Sequence, residues 1–285
     1  MRSSTSLSLL SFFLSLFGEE SFTQSTAGSA YAPQFETCPS GTSLLRQVGT
    51  TASAQTLSAG ESAYVSARAS DVLPNAWLSY YDNVRKASTS IDLPDYVALI
   101  LNNTCQCNNA TFPKLGIATS GGGYRAAIVG AGILNALDGR NKTSVSAGTG
   151  GLLQAATYLA GLSGGSWLVG SLSQADFPTI HDLIFGSSSV SGWQSQLDLL
   201  TPSSNVLTDG EYILDLIGEL APKYEQGFPV TMADVWARAI SRHFVQGTTA
   251  SNFYDKSLTH GAGITWSSIT GLSVFPAESG RGYPC

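Results

Sequence analysis

Charge is scarce in this chain: Asp, Glu, Lys and Arg make up 12% of 285 residues, and no basic run stands out. With a formal net charge of −6, it lacks the cationic stripe that nucleic acid or another polyanion requires, so no nucleic-acid partner is expected. Histidine is also rare, at three residues, and cysteine stands at four. Cys105 and Cys107 have a Cys-x-Cys spacing, but no second cysteine pair or histidine tract completes a metal set. Disulfides are therefore the expected use of Cys38, Cys105, Cys107 and Cys285, with the pairing left open. No metal and no cofactor are expected. No stretch reaches ~18 consecutive apolar residues, so no membrane-spanning helix is expected.

What is present suits a globular extracellular protein. Hydrophobic residues make up 43% and aromatics 10%, enough for a substantial core. Arg2 followed by the apolar run Leu7 to Phe17 reads as a secretory leader, with Gly28-Ser29-Ala30 as a small-x-small cleavage site, further from the run than is usual. Residues 1–30 are thus expected to be the signal peptide and 31–285 the catalytic domain. Three Asn-x-Ser/Thr sequons, at Asn102, Asn109 and Asn141, are expected glycosylation sites. The expected location is outside the cell, secreted or at its surface.

Residues 31 to about 110 read as helical. Ser58-x-x-Glu61 is a capping-box signature, and Pro74 fits the first turn of a helix reaching about Lys86, with Trp77, Tyr80, Tyr81 and Val84 on one face. From Phe112 the texture changes. Leu115 to Thr119 is a short apolar strand, then come a glycine cluster and a helix from Ala126 to Leu137. The cycle repeats with a strand at Ala155 to Ala160, a glycine turn at 161–165 and a helix from Ser166 to about Ser173. Two strand–turn–helix cycles predict an α/β fold: a layered α/β/α core around a largely parallel or mixed sheet. Further on, Thr208-x-x-Glu211 reads as a capping box over a helix stopped before Pro222. Thr231 reads as the cap of an amphipathic helix packing Met232, Val235, Trp236, Ala239, Ile240 and Phe244 inward. No internal repeat or linker forces a second domain.

The chemistry concentrates in Gly161-Leu162-Ser163-Gly164-Gly165. In a chain this rich in glycine and serine, Gly-x-Ser-x-Gly is nearly expected by chance, so only its setting gives it meaning. A strand enters and a helix leaves, which places Ser163 on a sharp turn as a candidate nucleophile, with the helix N-terminus pointing free N–H groups toward its oxygen. Attack on an ester creates an oxyanion, and Ser120-Gly121-Gly122-Gly123-Tyr124-Arg125 sits between strand and helix, where backbone N–H groups converge on an anion. Arg125 adds a fixed charge suited to phosphate. The glycine run matches neither Gly-x-Gly-x-x-Gly nor Gly-x4-Gly-Lys-Ser/Thr, which excludes the common nucleotide-phosphate loops.

SGGGYRAAIVGAGILNALD (120–138) and TYLAGLSGGSWLVGSL (157–172) together resemble the fungal lysophospholipase/phospholipase B family, related to the group IV cytosolic phospholipases. The resemblance extends less sharply from about Cys38 to Leu272. It implies a patatin/cytosolic-phospholipase-like fold and a serine–aspartate dyad in place of Ser-His-Asp. Carried over by position, Ser163 is the nucleophile, Gly122 and Gly123 form the oxyanion hole, and Arg125 binds the phosphate head group. The implied reaction is hydrolysis of acyl esters in lysophospholipids and phospholipids at a membrane or micelle surface, releasing fatty acid without a metal.

The family's catalytic aspartate lies in an Asp-Gly segment well downstream of the serine. Asp138-Gly139 and Asp209-Gly210 have the dipeptide but not the place, and Gly271 to Cys285 departs from the family pattern. The expectation is a C-terminally truncated chain without its general base. Two alternatives follow. One is an α/β-hydrolase esterase using Ser163, Asp234 or Asp255, and His260 in the loop Thr259-His260-Gly261. The other is a non-catalytic secreted glycoprotein.

Overall fold

The computed structural model describes residues 26–38, 40–41, 45–88, 95 and 112–265. The expected leader run, the sequons at Asn102 and Asn109, Cys105, Cys107, Cys285 and the tail from Gly271 lie outside the described residues. Cys38 is exposed. The described chain forms two compact units, one combining residues 26–36 with Trp193–Ile264, the other spanning Thr37–Gly192.

The second unit begins with coil and a short 3-10 turn at Ala52–Ala54, so the expected helical run does not start at residue 31. Helix α2 (Ala59–Ala67) opens where Ser58 accepts the Glu61 N–H at 3.1 Å. It passes through a π-helical turn (Arg68–Val72) into α3 (Leu73–Ala87), whose first turn holds Pro74. Pro74 has no N–H to donate back to the preceding turn, and the π-helical turn falls where the regular helical ladder is interrupted. Leu73, Ala76 and Trp77 of α3 bury against Ala155, with Tyr80 and Tyr81 alongside.

Strand β1 (Leu115–Thr119) and strand β2 (Ala156–Gly161) pair in parallel, Gly116 opposite Tyr158 and Thr119 opposite Gly161, with an irregularity between Leu115 and Gly116. Between them run α4 (Gly123–Leu137), α5 (Lys142–Ser146) and α6 (Leu152–Ala155). After β2 come α7 (Gly164–Gln174) and α8 (Ile180–Phe185). A helical crossover joining parallel strands is the expected α/β connection. The inward faces are made of small residues on α4 (Ala127, Gly130, Ala131) and leucines on α7 (Leu168, Leu172). A Cβ on Gly130 would lie 3.0 Å from Leu168 Cδ2 and 3.6 Å from Thr119 Cγ2, so the glycine lets α4 seat directly on α7 and the end of β1. The start of β2 is clamped from α2 and its π turn. The Tyr64 hydroxyl donates to the Thr157 carbonyl at 2.7 Å, and the buried Arg68 guanidinium donates to the carbonyls of Gln154 and Ala156.

The first unit contains α1 (Thr26–Tyr31), α9 (Val206–Gly218), α10 (Ala221–Glu225) and α11 (Met232–Phe244). Two expectations are corrected. Asn205 caps α9, accepting from Leu207 N at 2.9 Å, and Thr208 lies inside the helix. The asparagine side chain reaches the free N–H groups three residues before the expected box. Thr231 caps α11, as expected, with Asp234 completing a capping box, but of the expected inward face only Val235, Ala239 and Phe244 are buried. Met232 is 77% and Trp236 46% exposed, while Asp234, Val235, Arg238, Ala239, Arg242, His243 and Phe244 face inward. Both arginines can be buried because Glu219 pairs with each, with Arg238 Nε at 2.6 Å and with the Arg242 guanidinium, while the Thr259 and Phe253 carbonyls accept further donors from them. Arg242 also faces the Tyr212 ring at 5.4 Å.

Candidate active site

The elbow and the glycine run meet as two backbone turns with nothing between them. Ser163 follows β2 and caps α7 with φ 51 and ψ −121, a left-handed conformation that costs a non-glycine residue about 1–3 kcal/mol. Its neighbours are held by close approach. A Cβ on Gly164 would overlap the Gly123 carbonyl, one on Gly161 would overlap the Gly165 carbonyl, and one on Gly165 would stand 2.5 Å from the Thr119 carbonyl oxygen. A Cβ on Gly121 would reach within 3.0 Å of Ser163 Cβ. The glycines are therefore required by the packing of one turn on the other, beyond any freedom they give within each turn. Gly122 and Gly123 also carry φ 137 and φ 64, which turns the chain from β1 into α4 over two residues.

Thr119 ties the two turns. Its hydroxyl donates to the Gly165 carbonyl at 3.1 Å, and its carbonyl accepts Leu162 N–H at 3.0 Å. Thr119 was not among the residues expected at the site; its position at the last pair of β1 and β2, next to Ser120, is the signal that marks it. Trp167 in the first turn of α7 makes an edge-to-face pair with Tyr124 at 5.9 Å and lies under Gly123. The Ser166 hydroxyl donates to the Ser163 carbonyl at 2.5 Å, leaving the Ser163 side chain outside the helix. Ser163 is exposed, and among the described residues no His, Asp or Glu hydrogen-bonds its hydroxyl. The N–H groups of Gly122 and Gly123 take no acceptor among the described residues. Arg125, in the first turn of α4, is exposed and forms no ion pair among them.

The other titratable candidates are occupied. Asp138 is 1% exposed and accepts from Arg140 N, Nε and an Nη, and from Gln154 Nε2 at 2.7 Å. Asp209 receives Ser203 N–H at 2.8 Å in the first turn of α9. For Asp234, burial alone would raise the carboxyl, but hydrogen bonds from Lys223, Tyr31 and Thr231 N hold it below its ordinary range. Asp255 accepts from Ser257 N at 2.9 Å. His260, expected in a loop, is 1% exposed. Its Nε2 faces the Asp255 carbonyl at 2.8 Å and its Nδ1 the Thr248 hydroxyl at 2.9 Å. A carbonyl only accepts, so Nε2 carries the proton and the lone pair on Nδ1 accepts from Thr248. Burial, with Arg242 nearby, pushes the imidazole below its usual range. A histidine with both nitrogens engaged in this way is unsuited to receive a serine proton, which removes the support for the Ser-His-Asp alternative. His243 is likewise buried, and His181 is exposed.

Asn141 caps α5, its Oδ1 accepting Thr143 N–H at 3.0 Å and its Nδ2 donating to the Asn135 carbonyl at 3.3 Å. Among the described residues no cluster of His, Cys, Asp and Glu could hold a metal ion, and no helix is long and apolar enough to cross a membrane.

Residues 115–284 match the family model described as the lysophospholipase catalytic domain. That match runs past Leu272, where the resemblance was expected to end, so the segment from Gly271 lies within the family region rather than outside it. Lysophospholipase 2 of Saccharomyces cerevisiae is 34% identical over 258 residues, covering 88% of this chain and 33% of the relative. Lysophospholipase 3 of Candida albicans is 36% identical over 87% of this chain and 30% of its own length. Lysophospholipase 2 of Aspergillus fumigatus is 36% identical over 88% and 39%. The chain thus spans about a third of the length of these curated relatives. No solved structure matches it.

Proposed function

This chain belongs to the lysophospholipase family, and on that premise we propose that it takes part in hydrolysing acyl esters of lysophospholipids and phospholipids, releasing free fatty acid. The observation that carries the reading is Ser163, held at φ 51 between β2 and α7 with the Gly121–Gly123 turn packed against it. In this reading Ser163 Oγ attacks the acyl carbonyl while its proton passes to an aspartate acting as general base. The Ser163 hydroxyl has no such partner among the described residues, and the base is assigned to none of them. The carbonyl oxygen becomes an oxyanion held by Gly122 N–H and Gly123 N–H, each such donor stabilising the transition state by about 3 kcal/mol. Collapse expels the glycerol oxygen, which takes the proton back, and leaves an acyl-serine. Water, deprotonated by the same base, then releases the fatty acid and restores Ser163. Arg125, uncommitted at the rim, pairs with the phosphate.

The parallel β1–β2 pair with α4 and α7 packed together supports a layered, patatin/cytosolic-phospholipase-like core of which this sheet is a part. Secretion, glycosylation and action at a membrane or micelle surface complete the proposal, resting on the apolar run Leu7 to Phe17 and the sequons.

A fluorophosphonate probe tests the nucleophile. Ser163 is expected to be labelled in the folded chain, with Ser163→Ala unlabelled and equally folded, and fatty-acid release from lysophosphatidylcholine is expected to follow the same pattern. Labelling at another serine, or none in a folded sample, would sink the assignment.

A further inference from the structure

Helix α1 runs through the triplet Gly28-Ser29-Ala30, where cleavage of the leader was expected, and it is built into the first unit. Ala27 is 1% exposed and Gly28 is buried. The carbonyl of Ala30 leaves no room at Gly263: a Cβ there would lie 3.0 Å from that oxygen and 3.2 Å from Ala30 Cβ, at a φ of +78. Tyr31 ends the helix with its hydroxyl donating to Asp234 at 2.7 Å. Its ring faces Lys223 and Arg238, each 5.6 Å from the centroid. Burial and the Asp234 carboxylate hold that phenol protonated, well above its ordinary range.

These contacts are specific at four places and reach residues some two hundred positions away. A leader removed before folding has no reason to match Asp234, Arg238 and Gly263. We propose that secretory processing cuts the chain between Phe17 and Thr26, so that α1 stays in the mature protein as an N-terminal anchor of the first unit. The proposal rests on the secreted reading given above. Small-x-small triplets that meet the peptidase requirement occur in this interval, Ser21-Phe22-Thr23 and Thr23-Gln24-Ser25, and both lie nearer the end of the apolar run than Ala30 does. A cut after Ala30 would instead discard Ala27, Gly28 and Ala30 and leave a new ammonium on Tyr31, the residue whose ring already faces two cations.

The test is to express the full chain in a eukaryotic secretory host and map the N-terminal peptide by mass spectrometry in medium and cells. An N-terminus between residues 18 and 26 is expected. A secreted protein beginning at Ala27 or later overturns the proposal while leaving secretion standing. Chain retained in cells with Met1 intact overturns both. A paired measurement addresses the anchor itself: behind a foreign leader, the chain starting at Thr26 is expected to melt a few degrees above the chain starting at Tyr31. Equal melting temperatures would remove the structural reason for keeping α1.

Discussion

Gly164 and Gly123 stand forty-one positions apart in sequence, yet the first has no room for a side chain because the carbonyl of the second occupies that space. The Ser163 turn and the Gly121–Gly123 turn are thereby fixed as one object. Gly164→Ala is expected to push them apart, abolishing fluorophosphonate labelling of Ser163 and destabilising the fold by about 3 kcal/mol or more. Denaturant melts alongside labelling rates check it; an alanine variant labelled at the parental rate would mean that the contact is not needed.

Arg125 is offered a role that depends on the substrate carrying a phosphate. Arg125→Ala is expected to raise KM for lysophosphatidylcholine about tenfold or more, the range of a charge-assisted hydrogen bond. Hydrolysis of a neutral monoacylglycerol should change little. Comparing the two substrates separates phosphate binding from damage to the elbow, since damage would slow both alike.

His260 and His243 are both held below the ordinary imidazole range, in each case chiefly by burial. The unfolded chain therefore binds protons that the folded one resists. Their contribution is full above the unfolded pKa of about 6.5 and declines as pH falls below it. Melting temperature should thus drop between about pH 7.5 and pH 5, and His260→Gln should flatten part of that slope. Parallel pH profiles for parent and variant would contradict the assignment. The same variant should keep Ser163 labelling, because His260 has no free nitrogen to offer a serine.

Glu219 serves two buried arginines, Arg238 and Arg242. Glu219→Gln leaves two guanidinium charges without a counter-charge and is expected to cost about 3–5 kcal/mol in urea unfolding. Glu219→Gln combined with Arg238→Met should recover part of that loss, which simple loss of packing would not predict.

At the start of α9, Asn205→Ala is expected to cost about 1 kcal/mol and Thr208→Ala much less, because the cap hydrogen bond comes from Asn205. Equal costs in thermal melts would restore the cap to Thr208.

Much of the local architecture was legible in the residues. Ser58 caps its helix as its spacing to Glu61 implies, Thr231 caps α11 as expected, and Pro74 marks the first turn of α3. Both strands fall within a residue of expectation, and the glycine turns stand between strand and helix, because pairing, capping and turn formation depend on neighbours a few positions away. Helix α4 begins at Gly123 rather than Ala126, since glycine in a left-handed conformation can open a helix as well as precede one.

Tertiary structure alone decided the rest. A helical pattern gives the period of α11 but not its rotation, and the pull of Glu219 on Arg238 and Arg242 turned inward a face that hydrophobicity would have placed outside. His260 is buried because Thr248 and Asp255 satisfy its ring, partners that no local pattern announces. The sequence by itself determined that Ser163 sits on a strand–turn–helix elbow and that a triple-glycine turn exists. That the two turns touch backbone to backbone was settled by β1 and β2 pairing side by side, which brings residues distant in the chain within reach of a single carbonyl.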